Sequence, residues 1–216
     1  MTPLYRSLNA EKALIWRIVH RDNIPWLLKN GLHCQNSKVL ASHYVTIGNG
    51  DLIDKRRHRD VPIAPGGTLA DYIPFYFTPF SMMLMNIHTG WNVAHRDNDE
   101  IVILVSSLPH IQALGVDFVF TDAHAYLSLT NYYNELERLD RIDWDILQRR
   151  DFKRDPNDPR KTERYQAEAL VYRHLPVAGL LGLVCHTQGI AQRLQDVIQT
   201  LELSLSVHVR PQWYFP

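Results

Sequence analysis

The chain has 216 residues, 45 % of them apolar, which is enough to fill the core of one large domain. Lys plus Arg and Asp plus Glu both number 23, so no global field draws the protein to nucleic acid or to an acidic membrane, and any anion site must be local. Cys34 and Cys185 lie far apart without metal-ligand spacing, and no apolar stretch resembles a signal peptide or span; reduced thiols, a cytoplasmic location and no membrane partner are the default expectations, with Cys185 a buried core thiol.

Taken in chain order, "ALIWRIVH" (13–20) reads as a first strand, and "RDNIPWLLKNGL" as a short helix capped by Asp22 or Asn23 and ended by Gly31. From His33 to about Gly67 periodicity fails, leaving a long loop with a basic run, "DLIDKRRHRD", and a turn, "APGG". "YIPFYFTPF" (72–80), with its prolines, suits an edge or terminating strand, and "SMMLMNIHTG" a helix stopping at Gly90. "EIVILVSS" (100–107) is the clearest strand; a short helix around "LPHIQALG" and a strand "VDFVFTD" (116–122) follow. Residues 134–150 are expected to be helical, 150–164 a polar surface loop, "RYQAEALVYRHLP" (164–176) and "GLLGLVCHT" (179–187) strands, 188–201 a helix and "LSVHVR" (205–210) a closing strand. The alternation is irregular and lacks a glycine-rich phosphate turn, which points to an α+β fold in a single domain, 1–216.

Several residues can carry chemistry. Period two puts Gln166, Glu168, Leu170 and Tyr172 on one strand face and Ala167, Ala169 and Val171 on the other; with the small apolar face inward, Glu168 faces a cleft or solvent. The plainer alternative is an exposed glutamate paired with Arg164 or Arg173. Arg56 and Arg57 suit phosphate or an electron-rich base edge, against a merely solvated basic run. His20 ends the first strand, where it either meets a ligand or is structural. Tyr72, Phe75 and Phe77 are read as sharing one face, as core or as a cofactor platform. Asp122 and His124 are two apart at a strand end, a weak metal signal without a third ligand. On the residues alone, a metal-dependent nuclease or hydrolase using Asp122, His124 and Glu168 and a non-catalytic nucleic-acid-binding module both stay open.

Six stretches in order, "IVHRDNIPWLLKNGL", "IDKRRHRDV", "DYIPFYFTPFSMML", "FVFTDAHA", "RIDW" and "RYQAEALVYRHLP", resemble the DarT family of bacterial DNA ADP-ribosyltransferase toxins along nearly the whole chain. The resemblance implies an ADP-ribosyltransferase-like fold, a split, mostly antiparallel β core with surrounding helices and NAD in the cleft. It implies transfer of ADP-ribose from NAD to a thymine or guanine of single-stranded DNA, with no metal. It also implies an antitoxin partner, a macrodomain or another ADP-ribosyl-base hydrolase; a monomer is the default state. By the same resemblance Glu168 matches the catalytic glutamate, and His20 and Asn23 match NAD-binding positions. The basic block supplies the active-site arginine: counting back from Val61 favours Arg57, Arg56 stays open, and Arg59 is in reach. Tyr72 and Phe77 are the expected aromatic cofactor contacts, and the loop from about His33 to Gly67 is the expected NAD cover. The chain departs from the family pattern at Phe80, Met85 and Arg17, changes expected to lie near the cleft and to bear on the target base.

Overall fold

Apolar residues dominate the two longest strands, β1 (Leu14–His20) and β4 (Ile101–Ser107), which pair antiparallel over their full length, from Leu14↔Ser107 to His20↔Ile101. Both are covered on both faces, so they read as apolar runs and not as an alternation. The computed structural model describes residues 5–39 and 41–216. Beside β4 lies β9 (Gly182–Cys185), antiparallel, and beside β9 the short parallel strand β10 (Val207–Val209). Parallel neighbours need a crossover. The helix α7 (Gln188–Thr200) supplies it, burying Ile190, Ala191, Leu194 and Ile198 at helical spacing.

The other half of the sheet is built on β3 (Tyr72–Tyr76), which pairs with β7 (Glu168–Tyr172) from Tyr72↔Tyr172 to Tyr76↔Glu168. β5 (Phe118–Thr121) flanks β7, and β6 (Tyr132–Tyr133) forms the edge. The full order is β10-β9-β4-β1-β3-β7-β5-β6, a mostly antiparallel α+β sheet with helices around it, as expected. The two halves join between β1 and β3, where a single register pair, Trp16↔Tyr76, links them.

That junction corrects the reading of β3 as an edge strand: it is the fifth of eight strands. Within a strand, the N and C=O of one residue point to the same side. The Pro74 carbonyl accepts from Arg17 Nη1 on β1 at 2.8 Å, so the proline nitrogen also faces β1, where the strands have splayed. Pro74 therefore costs the ladder no hydrogen bond.

Both faces of β7 are covered. Ala169 and Val171 pack into the main core with Phe75, Phe118 and Phe120, while Leu170 packs into a smaller core with Val61, Leu69, Tyr72, Val119 and Ala125. Tyr72 thus lies opposite Phe75 and Phe77, correcting the expectation of one shared face: period two separates even from odd positions.

The helix α1 (Ile24–Asn30) ends at Gly31, φ +78°, and α3 (Met82–Thr89) runs from the Ser81 cap to Gly90, φ +73°, both as expected. α4 (Leu108–Ala113) leads from β4 toward β5. The stretch 33–67, expected to be loop, contains α2 (Gly50–Arg56), capped by the Asn49 side chain on Leu52 N–H. Its start, β2 (Leu32–His33), forms a separate two-stranded ladder with β8 (His174–Leu175). The helix expected over 134–150 divides at Ile142 and Asp143 into a 3₁₀ segment, Leu136–Arg141, and α5 (Trp144–Arg149), capped by Asp143. The stretch 150–164 is no free loop either. It carries α6 (Lys161–Arg164), with Lys161 on Asp151 and Arg164 bridging Asp143 and Asp158. Both cysteines are free and buried. Among the described residues no helix is long and apolar enough to cross a membrane.

Candidate active site

Where β1 and β3 splay apart they leave a cleft of about 1090 Å³. Arg17, Ile18 and Val19 line one wall and Ile73, Pro74 and Tyr76 the other, with Glu168 and His124 at one place on its surface. The consecutive residues Tyr44–Asn49, followed by α2, form a strap along it, in the part of the chain expected to cover NAD.

Glu168 opens β7 and is 3 % exposed. Its N–H donates to Thr121 Oγ1, at the end of β5, whose own hydroxyl donates to Ala123 O, so two adjacent strand ends hold the residue. The turn after β5 directs Ala125 N–H to Glu168 Oε1 at 3.0 Å and sets His124 Nδ1 at 3.5 Å. From the other side Arg56, the last residue of α2 and 9 % exposed, donates from Nη1 to Oε2 at 3.0 Å. Burial pushes the Glu168 carboxyl up. The charge of Arg56, with the neighbouring His124 ring and the Ala125 hydrogen bond, outweighs it, and the group titrates below its ordinary range.

The geometry separates the arginines. Arg56 reaches Glu168, whereas the Arg57 side chain is 49 % exposed at the cleft rim, 3.7 Å from Asp54, although counting along the sequence favoured it. The physical reason is helical: Arg56 lies on the face of α2 turned to β7, and its neighbour, about 100° round, points away. Arg59 donates from Nη2 to Leu127 O and braces the turn beside His124. The second guanidinium nitrogen of Arg56, Nη2, is buried without a partner.

Other expectations are redrawn. His20 does not line the cleft; its buried ring accepts from Asp22 N–H at Nδ1 and donates from Nε2 to Glu100. Asn23 is also buried outside the lining, with both amide atoms on the backbone of Val45. Tyr72 borders the cleft, but its hydroxyl donates to Gly66 O. Phe77 is in the core, edge-on to Phe120 and Trp144, and is no cofactor platform. Phe80 is buried beneath the guanidinium of Arg150, 3.6 Å from its ring centroid, and neither it nor Met85 lines the cleft; of the three departures only Arg17 does. Asp122 turns away from His124 to hold Asn131. Among the described residues no group of three His, Cys, Asp or Glu side chains converges as a metal site.

Tyr76 is the residue that sequence reasoning missed. It is the register partner of Glu168 and lines the cleft, and burial followed by the Glu168 charge pushes its hydroxyl up to about 12. The signal was present: counting by two from Tyr72 through Pro74 reaches Tyr76, on the face that Glu168 shares.

Comparison with known proteins gives a consistent result. The family described as "ssDNA thymidine ADP-ribosyltransferase, DarT" matches residues 16–215. A DNA ADP-ribosyl transferase of Escherichia coli O127:H6 (strain E2348/69 / EPEC) is 58% identical over 210 residues, covering 97% of this chain and 96% of that protein. The fold superposes with a TM-score of 0.87 on Thermus sp. 2.9 DarT in complex with ADP-ribosylated ssDNA, at 31% identity over 95% of this chain and 97% of that one. It superposes at 0.82 on the same DarT in complex with NAD+, at 30% identity over 95% and 98%.

Proposed function

The chain belongs to the DarT family and is a DNA ADP-ribosyltransferase with NAD as donor substrate; within that activity we propose that it modifies thymine in single-stranded DNA, with Glu168 and Arg56 touching the reacting atoms. Thymine is chosen over guanine on the family description. Single strands are favoured because the target nitrogen of a paired base is held inside the stack, and freeing it costs a few kcal/mol.

One observation carries the assignment of residues: the Arg56 fork has one arm on Glu168 and the other, Nη2, buried with no partner. A buried unpaired donor costs about 1–3 kcal/mol, which a substrate oxygen entering the cleft relieves. The cleft, at about 1090 Å³, is also slightly larger than the usual small-molecule site of about 300–1,000 Å³, which leaves room for an extended dinucleotide.

The chemistry then divides between these two side chains. As the bond between ribose C1′ and nicotinamide breaks, nicotinamide leaves neutral with the bonding pair and the sugar carries positive charge, which the Glu168 carboxylate stabilises electrostatically. N3 of thymine bonds to C1′, and its proton passes to Glu168 and then to solvent. Arg56 Nη2 donates to the adjacent carbonyl oxygen, where negative charge collects. A carboxyl held below its usual range suits the first task. The second is drawn forward by the acidity that N3–H gains as N3 bonds to a cation. Arg57, at the rim, is assigned to the diphosphate of NAD and not to the chemistry.

Residues 1–216 are taken as one ADP-ribosyltransferase domain, a reading supported by a sheet that draws strands from Leu14 to Val209. A glycosylated template base blocks pairing, which supports a role as a toxin. It also calls for an antitoxin that hydrolyses the new N-glycosidic bond, such as a macrodomain protein.

The test is direct. The chain is incubated with NAD and a panel of single-stranded oligonucleotides, and mass shifts of one ADP-ribose are sought on thymine-containing strands, unaffected by a chelator. Modification confined to thymine-free strands, or undiminished in Glu168→Gln, sinks the reading.

A further inference from the structure

Asparagine at the start of a helix ordinarily caps it with its own side chain. Asn23 stands at that position before α1 and makes no such bond. Its side-chain Oδ1 accepts from Val45 N–H at 2.8 Å and its Nδ2 donates to Val45 O at 2.8 Å, closing a two-bond ring like one rung of a β-ladder with a residue 22 positions away. Asn23 is 3 % exposed and outside the cleft lining, whereas Val45 is within it.

We propose that Asn23 is a positioning residue: it clamps the strap 44–49 over the cleft and so governs NAD binding without touching NAD. The clamp rests on the reading of this cleft as the NAD site. Its leverage comes from chain continuity. Four residues beyond Val45, Asn49 caps α2 and bonds to Asn92 O, and α2 ends at Arg56 on Glu168. Asn23 therefore holds the near end of a stretch whose far end delivers the guanidinium. A primary amide both donates and accepts in this planar geometry without titrating; Ala does neither, and Asp only accepts when ionised.

The test compares wild type, Asn23→Ala and Asn23→Asp in three measurements: chymotrypsin cleavage at the exposed Tyr44 without and with NAD, KM and kcat for NAD in oligonucleotide modification, and Tm. In Asn23→Ala, cleavage without NAD is expected to rise about tenfold and KM for NAD about tenfold, with kcat within about threefold and NAD restoring protection. Asn23→Asp should be impaired at least as much, because it keeps one of the two bonds but sets a carboxylate oxygen against the Val45 carbonyl. A raised KM with unchanged Tyr44 cleavage would mean direct contact with NAD and overturn the clamp. Faster cleavage with unchanged KM, or a lowered Tm with both other measurements unchanged, would overturn it equally. Were no oligonucleotide modified by wild type, the proposed function would fail alone, while NAD-dependent protection of Tyr44 would still decide the clamp.

Discussion

Two basic stretches of this chain have similar composition and opposite fates. In the first, "DKRRHRD" at 54–60, one guanidinium is carried by a helix into a buried cleft and meets a single carboxylate with half its fork. In the second, 149–164, carboxylates from the same stretch and from Asp143 claim the basic side chains: Arg164 bridges Asp143 and Asp158, and Lys161 takes Asp151. The first holds a donor in reserve and the second holds none in those two residues. A charged run is thus a site only where burial removes water and the fold withholds full pairing.

The largest test of that contrast is the pair itself. Glu168→Gln, which avoids stranding Arg56 beside a hole, should lower the rate of oligonucleotide modification by about 10³-fold, and Arg56→Lys by about 10²-fold, because an ammonium cannot fork. Arg57→Ala should change kcat by less than about threefold and act mainly on KM for NAD. Equal losses in the two arginine variants would erase the distinction between them.

A pH comparison comes next. Because the folded Glu168 carboxyl titrates below its ordinary 4.5, its contribution to stability is fully present above that pH and is lost as pH falls through the lower folded value. Asp71 and Glu100 shift in the same direction and form a shared background. Tm measured from pH 7 down into the acid range should therefore fall less steeply in Glu168→Gln than in wild type; identical slopes would mean that the carboxylate is not stabilised in the fold.

The smallest effect belongs to the second stretch. Arg164→Ala should lower Tm by about 2–4 °C, the shift that ~1 kcal/mol makes in a chain of this size, and leave kcat/KM for the oligonucleotide unchanged. A drop in kcat/KM at full stability would make 149–164 a DNA contact.

Much of the fold was legible because long apolar runs between turn signals are local facts. β1, β4 and α7 fall close to where period and composition put them, β7 takes up only Glu168–Tyr172 of the strand expected over 164–176, and Gly31 and Gly90 end their helices at positive φ. The illegible parts depended on partners distant in sequence. Pro74 argued for an edge strand, and the splay of β1 from β3 made it tolerable in the middle of the sheet. Phe80 and Met85 were expected near the cleft and lie outside its lining, since their positions depend on how α3 packs and not on motif order. α2 went unread because its seven residues show no apolar stripe; a cap and the contact with Glu168 hold it instead.

The sequence by itself determined the fold class, the family and the identity of the central carboxylate, because ordered motifs and strand period survive without knowledge of contacts. Only the tertiary structure decided that Arg56 and not Arg57 meets Glu168, that Tyr76 faces the same cleft, and that His20 and Asn23 are committed to other protein groups. The physical reason is common to all of these: a helix residue and its neighbour point about 100° apart, and a buried polar side chain must spend its hydrogen bonds on whatever the fold brings beside it.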